Sequence, residues 1–197
     1  MASKLLITLA GLAVASAALV AGQDLTRADG DRMAQKLATI EARGNMTPTP
    51  RAASESTSFT DREVNAYFRY NGKSQLPEGV IDPQVTVQSD TRIDARAMVD
   101  LDAVRKASQS WMAGLLHGSV EVRVSGTITA ANGKGTVQIL SATLGGIPIP
   151  ATLLQDVVSQ YSKTPVMPNG FQLDKPFDLP ANIREVRLKP GAVTVVQ

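Results

Sequence analysis

The side chains able to do chemistry are few and scattered. His117 is the only histidine of the chain. A nucleophilic triad would need it as the base, but the serines fall in linker-like stretches or on wet strand faces. At the end of a helical segment, a single histidine more simply answers the helix dipole. Asp94, Asp100 and Asp102 come nearest to a metal-ligand cluster, which requires converging side chains. Asp94 and Asp100 share one face of a strand but lie far apart along it, so they do not converge. Gly145-Gly146 and Asn132-Gly-Lys-Gly135 lack the spacing of a phosphate loop, and the second reads as a hairpin turn. There are no cysteines. That removes thiol catalysis, disulfides, Cys-ligated zinc and a lipobox acyl anchor. The expectation is a non-enzyme with no catalytic residues, no metal and no cofactor.

Charge adds a further exclusion. Lys and Arg number 20 against 18 Asp and Glu, and the pI is near 9.0. That small excess is not gathered into a basic face with interleaved aromatics, so nucleic acid is not an expected partner. Aromatics make up 4% of the residues, and the abundance of Val, Ala, Ile and Leu favours an aliphatic core rich in strands.

The chain divides into four stretches. Residues 1–22 read as a signal peptide or N-terminal membrane anchor. Lys4 supplies a positive start, and Leu5 to Gly22 carries no charge, a length between a signal peptide's apolar run and a membrane span. Ala15-Ser-Ala17 and Val20-Ala-Gly22 offer small-residue cleavage sites. Either form places the remainder outside the cytoplasm, periplasmic or anchored to the membrane by residues 5–22. Residues 23–45 read as a charged helical stalk, or a helix that docks elsewhere, with a thin stripe of Met33, Leu37 and Ile40. Residues 46–58, rich in Pro, Ser and Thr, read as a linker. The folded domain is expected over 59–197.

Within that domain the pattern alternates helix and hairpin. Thr60-Asp-Arg-Glu63 is a capping box, with Phe59 and Val64 as the hydrophobic staple, and Asn71-Gly72 stops the helix. Period-two alternation follows through Val85 and Val87. It continues through Ile93, Ala95, Ala97, Val99 and Leu101, which oppose Arg92, Asp94, Arg96, Met98 and Asp100. Asp102 to His117 is a short helix whose Trp111 falls on the apolar face, where packing is the expected role. Val120, Val122 and Val124 lead to the Asn132-Gly133 turn and the returning Val137 and Ile139. Leu153, Leu154, Val157, Val158 and Tyr161 then make an apolar helical stripe, with Thr152, Gln155, Asp156 and Ser159 on the other side. Strand-like sequence flanks this segment, so it reads as the rod against which a sheet is laid. A last hairpin turns at Pro190-Gly191. The fold class expected is α+β: a curved antiparallel β-sheet wrapped around or packed on two to three helices, preceded by the signal or anchor helix.

Phe59-Thr-Asp-Arg-Glu-Val-Asn-Ala-Tyr-Phe68, then Leu76-Pro-Glu-Gly-Val80, then a long alternating strand ending in Val99-Asp-Leu-Asp102, resembles a group of bacterial envelope proteins. These are similar to the tubular lipid-binding (TULIP-like) superfamily, and the resemblance spans residues 59–197. It implies a bent sheet around a long helix, an apolar groove, and a lipid or acyl-chain ligand. It transfers no catalytic residue. The chain has room for one half-module. The residues expected to line such a groove are Val64, Phe68, Trp111, Leu153, Leu154, Val157, Val158 and Tyr161. The alternative expectation is a structural or scaffolding domain that binds another envelope protein through sheet edges and the terminal hairpin.

Overall fold

A computed structural model describes residues 24–46, 54–103, 117–163 and 168–197. The expected signal or anchor segment, residues 1–22, lies outside them, as does most of the 102–117 helix. Among the described residues, no helix is long and apolar enough to cross a membrane.

The order is α1 (Arg27–Gly44), β1 (Ser56–Thr60), α2 (Asp61–Tyr70), a 3-10 turn (Lys73–Gln75), β2 (Val80–Val87) and β3 (Arg92–Asp100). There follow β4 (Ser119–Ala131), β5 (Lys134–Leu144), β6 (Ile147–Pro148), α3 (Ala151–Tyr161), β7 (Phe177–Asp178), β8 (Glu185–Lys189) and β9 (Ala192–Val196). The fold is α+β, with one nine-stranded antiparallel sheet among the described residues. One path runs β1-β9-β8-β4-β3-β2, and β5 joins the other edge of β4. The long β4 holds the two halves together. It pairs β3 over Ser119 to Thr127 and, beyond the end of β3, meets β8 at Ala130↔Val186. The β4–β5 turn has positive φ at both Asn132 (53°) and Gly133 (75°), as a type I′ hairpin demands. The strand β1 begins at Ser56, inside the stretch expected as linker. It pairs fully with β9, and the Ser58 and Thr194 hydroxyls meet at 2.8 Å.

Both long-range helices start with capping boxes. The Glu63 backbone N–H donates to the Thr60 hydroxyl, and the Glu63 carboxylate accepts from the Thr60 N–H. Thr26 and Asp29 do the same at α1. The two helices cross where Gly30 meets Ala66, which is 0% exposed. A Cβ on Gly30 would stand 3.0 Å from the Ala66 carbonyl oxygen, so the missing side chain is what lets the backbones approach.

The buried centre is Ile40, Phe59 and Val195, with Met33, Leu37, Val64, Ile183, Val186 and Val193 packed around it. This corrects one expectation. The rod beneath the sheet is α1 with α2, not the segment around residues 147–161. The 24–44 helix docks on the domain because its thin stripe is enough once Phe59 and Val195 meet it. Charge reinforces the docking. Lys36 donates to both oxygens of Glu63 at 2.7 and 2.8 Å and to the Ser58 carbonyl at 2.7 Å. Arg62 reaches the buried Asp29 at 2.7 Å, and Arg32 also pairs with Asp29.

The β2 and β5 edges of the sheet are partly closed, by different means. Asn65 of α2 donates to the Val85 carbonyl at 2.9 Å and accepts from the Val85 N–H at 2.7 Å, so one side-chain amide replaces a missing strand partner. Asp61 accepts from the Val87 N–H. Along β5, short pairings with β6 and β7 cover the two ends, while Asp174 and Ile149 donate to the Val137 and Ala142 carbonyls. Capping an edge in this way guards against unwanted strand addition.

Candidate functional site

The turn that leaves β5 creates the groove. Gly145 and Gly146 both have positive φ, 58° and 83°. This folds β6 back so that Ile147 pairs with Leu144 and Pro148 with Thr143. Pro150 then opens α3 with an extended backbone, and the Leu154 N–H donates to its carbonyl. The chain after α3 returns alongside it. Gln155 clasps that return segment, donating to the Phe171 carbonyl at 3.1 Å and accepting from the Leu173 N–H at 2.7 Å. The Phe171 N–H donates to the Ser162 hydroxyl at 2.6 Å. Asp174 then ties the return segment to Val137 of β5, and Phe171 stacks edge-on against Phe177 at 5.0 Å.

Between α3, β5 and this strap lies an open groove of about 320 Å³. Ile139, Leu154 and Leu173 give it an apolar floor, and Thr152, Gln155, Asp156 and Asp174 stand on its rim. The volume falls at the lower end of small-ligand sites, roughly 300–1,000 Å³.

The orientation of α3 differs from the sequence expectation. Its polar side, Gln155 and Ser159, is half-buried against the strap, while Leu153 and Val157 are 47% and 45% exposed. Side-chain amide and hydroxyl groups satisfy the backbone of an irregular return segment, and that need decides which side faces inward. The apolar stripe is thereby split, with Leu154 and Val158 half-buried and Leu153 and Val157 turned to solvent.

Among the described residues, the expected groove residues do not converge on one pocket. Leu154 lines the groove. Val64 packs on the Ile40–Phe59–Val195 core. Phe68 is half-buried and stacks edge-on against Tyr67 at 5.8 Å. Trp111 and the side chain of Tyr161 lie outside the described residues. Ile139 and Leu173, absent from the expected set, complete the floor. Ile139 was legible as a core-face strand residue, but nothing in the sequence tied Leu173 to α3.

The acidic and histidine side chains able to do chemistry are engaged in local structure. Asp100 caps the turn that begins at residue 101, accepting from the Asp102 and Ala103 N–H groups. Asp102 lies 3.3 Å from His117 Nδ1 and accepts from the Gly118 N–H at 3.0 Å. Asp94 accepts from the Ser125 hydroxyl at 2.7 Å, and that bond, with Arg92 beside it, holds its carboxyl below the usual range. Among the described residues, no group of three or more acidic, His or Cys side chains could hold a metal. No family model, curated protein or solved structure matches this chain.

Proposed function

We propose that this chain is an exported or membrane-anchored cell-envelope domain that binds a lipid or another apolar ligand beside α3, without catalysis. One observation carries the reading: an open groove floored by Ile139, Leu154 and Leu173 lies next to two outward-facing aliphatic residues of the same helix, Leu153 and Val157. Residues four apart on a helix are neighbours on one face, so an acyl chain leaving the groove would meet a ready apolar surface. The uncharged run from Leu5 to Gly22 supports delivery to the envelope, and the resemblance to tubular lipid-binding proteins supports the ligand class.

The test uses the full chain purified from native membranes without delipidation. Mass spectrometry under native conditions should find a bound lipid, and Leu154→Trp should release it while leaving the thermal midpoint nearly unchanged. Overpacking an already filled site costs about 1–3 kcal/mol. A wild-type chain free of lipid, together with a lowered midpoint in Leu154→Trp, would overturn the proposal and leave a scaffolding domain as the reading. A reporter joined after Ser58 should be active only outside the cytoplasm.

A further inference from the structure

The opposite face of the sheet carries a second concavity. On β3, Ile93, Ala95, Ala97 and Val99 face one way, and Arg92, Asp94, Arg96 and Met98 face the other. Register sets two polar rows across four strands. Gln84, Arg96, Arg123 and Thr143 form one, and Thr86, Asp94, Ser125 and Ser141 form the next. Together with Arg92 they line an open hollow of about 330 Å³.

Arg96 and Arg123 are direct cross-strand partners. Like charges so placed weaken a sheet, and one substitution at either position would relieve the repulsion. The nearby charges compensate only in part. Arg123 pairs with Glu121 at 2.7 Å and Arg92 with Asp94 at 3.3 Å. Among the described residues, Arg96 has no carboxylate partner; it donates to the neutral Oε1 of Gln84 at 2.6 and 3.1 Å. Three guanidinium groups on this face thus meet two carboxylates, Asp94 in the hollow and Glu121 beside it.

Two strand irregularities border these rows. One lies in β2 between Ile81 and Gln84, where Asp82 has φ 46°, and one in the β4–β5 pairing just past Ser125, where Leu140 is the extra residue. Bulges bend a strand, re-aim its side chains and concentrate near sites. A local rule broken in this way, and compensated only in part by Glu121 and Gln84, is expected at functional or strained sites.

We propose that Arg96 and Arg123 form a binding site for a phosphate-class oxyanion, with the hydroxyls of Thr86, Ser141 and Thr143 at its margin. The guanidinium fork matches tetrahedral oxyanions in two-point contact, and a bound dianion would turn the Arg–Arg repulsion into shared attraction. The site is independent of the apolar groove, which lies across the sheet.

Calorimetric titration of the full chain with inorganic phosphate, against chloride at equal ionic strength, tests this. A parallel arm uses phosphatidic acid vesicles against phosphatidylcholine vesicles. Binding should saturate, and Arg96→Gln or Arg123→Gln should weaken it by about tenfold or more, since a hydrogen bond to a charged group is lost. Arg187→Gln, which removes equal charge from an arginine paired with Glu185 on β8, should leave it unchanged. Without phosphate, Arg96→Gln should not lower the thermal midpoint, because it removes a repulsion. Binding in the phosphate arm assigns a soluble phosphate compound, and binding in the vesicle arm alone assigns a lipid headgroup. Absence of saturable binding in both arms, or equal loss in Arg187→Gln, would overturn the site.

Discussion

Asn65 offers a sharp test of how the sheet edge is closed. Its amide makes both hydrogen bonds that a neighbouring strand would have made to Val85, at 2.9 and 2.7 Å. Asn65→Ala removes both and leaves a half-buried N–H and C=O on an edge strand. Each ordinary hydrogen bond contributes about 1 kcal/mol net, and a stranded buried group costs about 1–3 kcal/mol. Water can reach part of this edge, so the expected loss is about 2 kcal/mol. For a domain of this size that lowers the thermal midpoint by roughly 4–8 °C. Asn65→Asp separates the two bonds. An ionised carboxylate still accepts from the Val85 N–H but now faces the Val85 carbonyl with a lone pair. Protonation restores a donor. Asn65→Asp should therefore lose stability at neutral pH and regain part of it, relative to wild type, as pH falls through the carboxylate range. Thermal midpoints at several pH values read the effect, and light scattering reads edge-driven association, which should rise in the Ala variant. A midpoint unchanged in Asn65→Ala, or an Asp variant with no pH-dependent recovery, would refute the edge-closing role.

Two further outcomes follow from the helix starts. Thr60→Ala and Thr26→Ala should each lose about 1 kcal/mol through the missing cap, read as a lower denaturant midpoint. If Thr26→Ala has no effect, α1 is not anchored by its capping box. The second outcome concerns acid. The Thr26 hydroxyl, with Arg62, lowers the Asp29 carboxyl from 3.8 to about 2. Burial would raise Glu63, but Lys36 and the Thr60 N–H outweigh it and bring it below the ordinary glutamate value. A carboxyl lowered by folding adds stability that is present above its unfolded pKa and disappears as pH falls through its folded one. Asp61 runs the other way, because burial raises it. Stability should decline from about pH 4.5, the ordinary glutamate value, down toward about 2 for Asp29, and α1 should separate first, seen as early amide exchange in residues 27–44. Retention of α1 protection through that window would refute the charge network's part in docking.

Most of the fold could be read locally, and what could not be read was a matter of partners. The α2 capping box, the Asn132-Gly133 turn and the alternating strands are written in residues a few positions apart, where propensity and geometry agree. The Thr26-Arg-Ala-Asp29 box carries the same local signature, set within a highly charged segment. The docking of α1 was not local. Its stripe of Met33, Leu37 and Ile40 is too thin to predict burial until Phe59 and Val195, the second far along the chain, close over it. The inward turn of Gln155 and Ser159 is legible only with the strap in place, since a polar side is read as solvent-facing until a backbone needs its hydrogen bonds.

The two concavities differ in the same respect. Leu154 was visible as an apolar helical residue, and its neighbours Ile139 and Leu173 came from β5 and the strap. On the other face, the alternation of β3 had already set Arg96 on the polar side, and that of β4 had done so for Arg123. Alternation gives the face but not the register, and a shift of one residue in pairing would flip the side chains to the other face. The bulge past Ser125 adds to this, because it changes the β4–β5 register midway and no turn residue announces it. A cross-strand arginine pair is therefore a property of the folded sheet. Its cost falls on the β3–β4 pairing, and a carboxylate in place of Gln84 or Thr143, which flank the two arginines in the same row, would have been a single-residue solution. Gln84→Glu makes that solution directly: it should raise the thermal midpoint in the absence of phosphate while weakening phosphate binding, and a gain in stability with binding intact would mean that the arginines serve no anion.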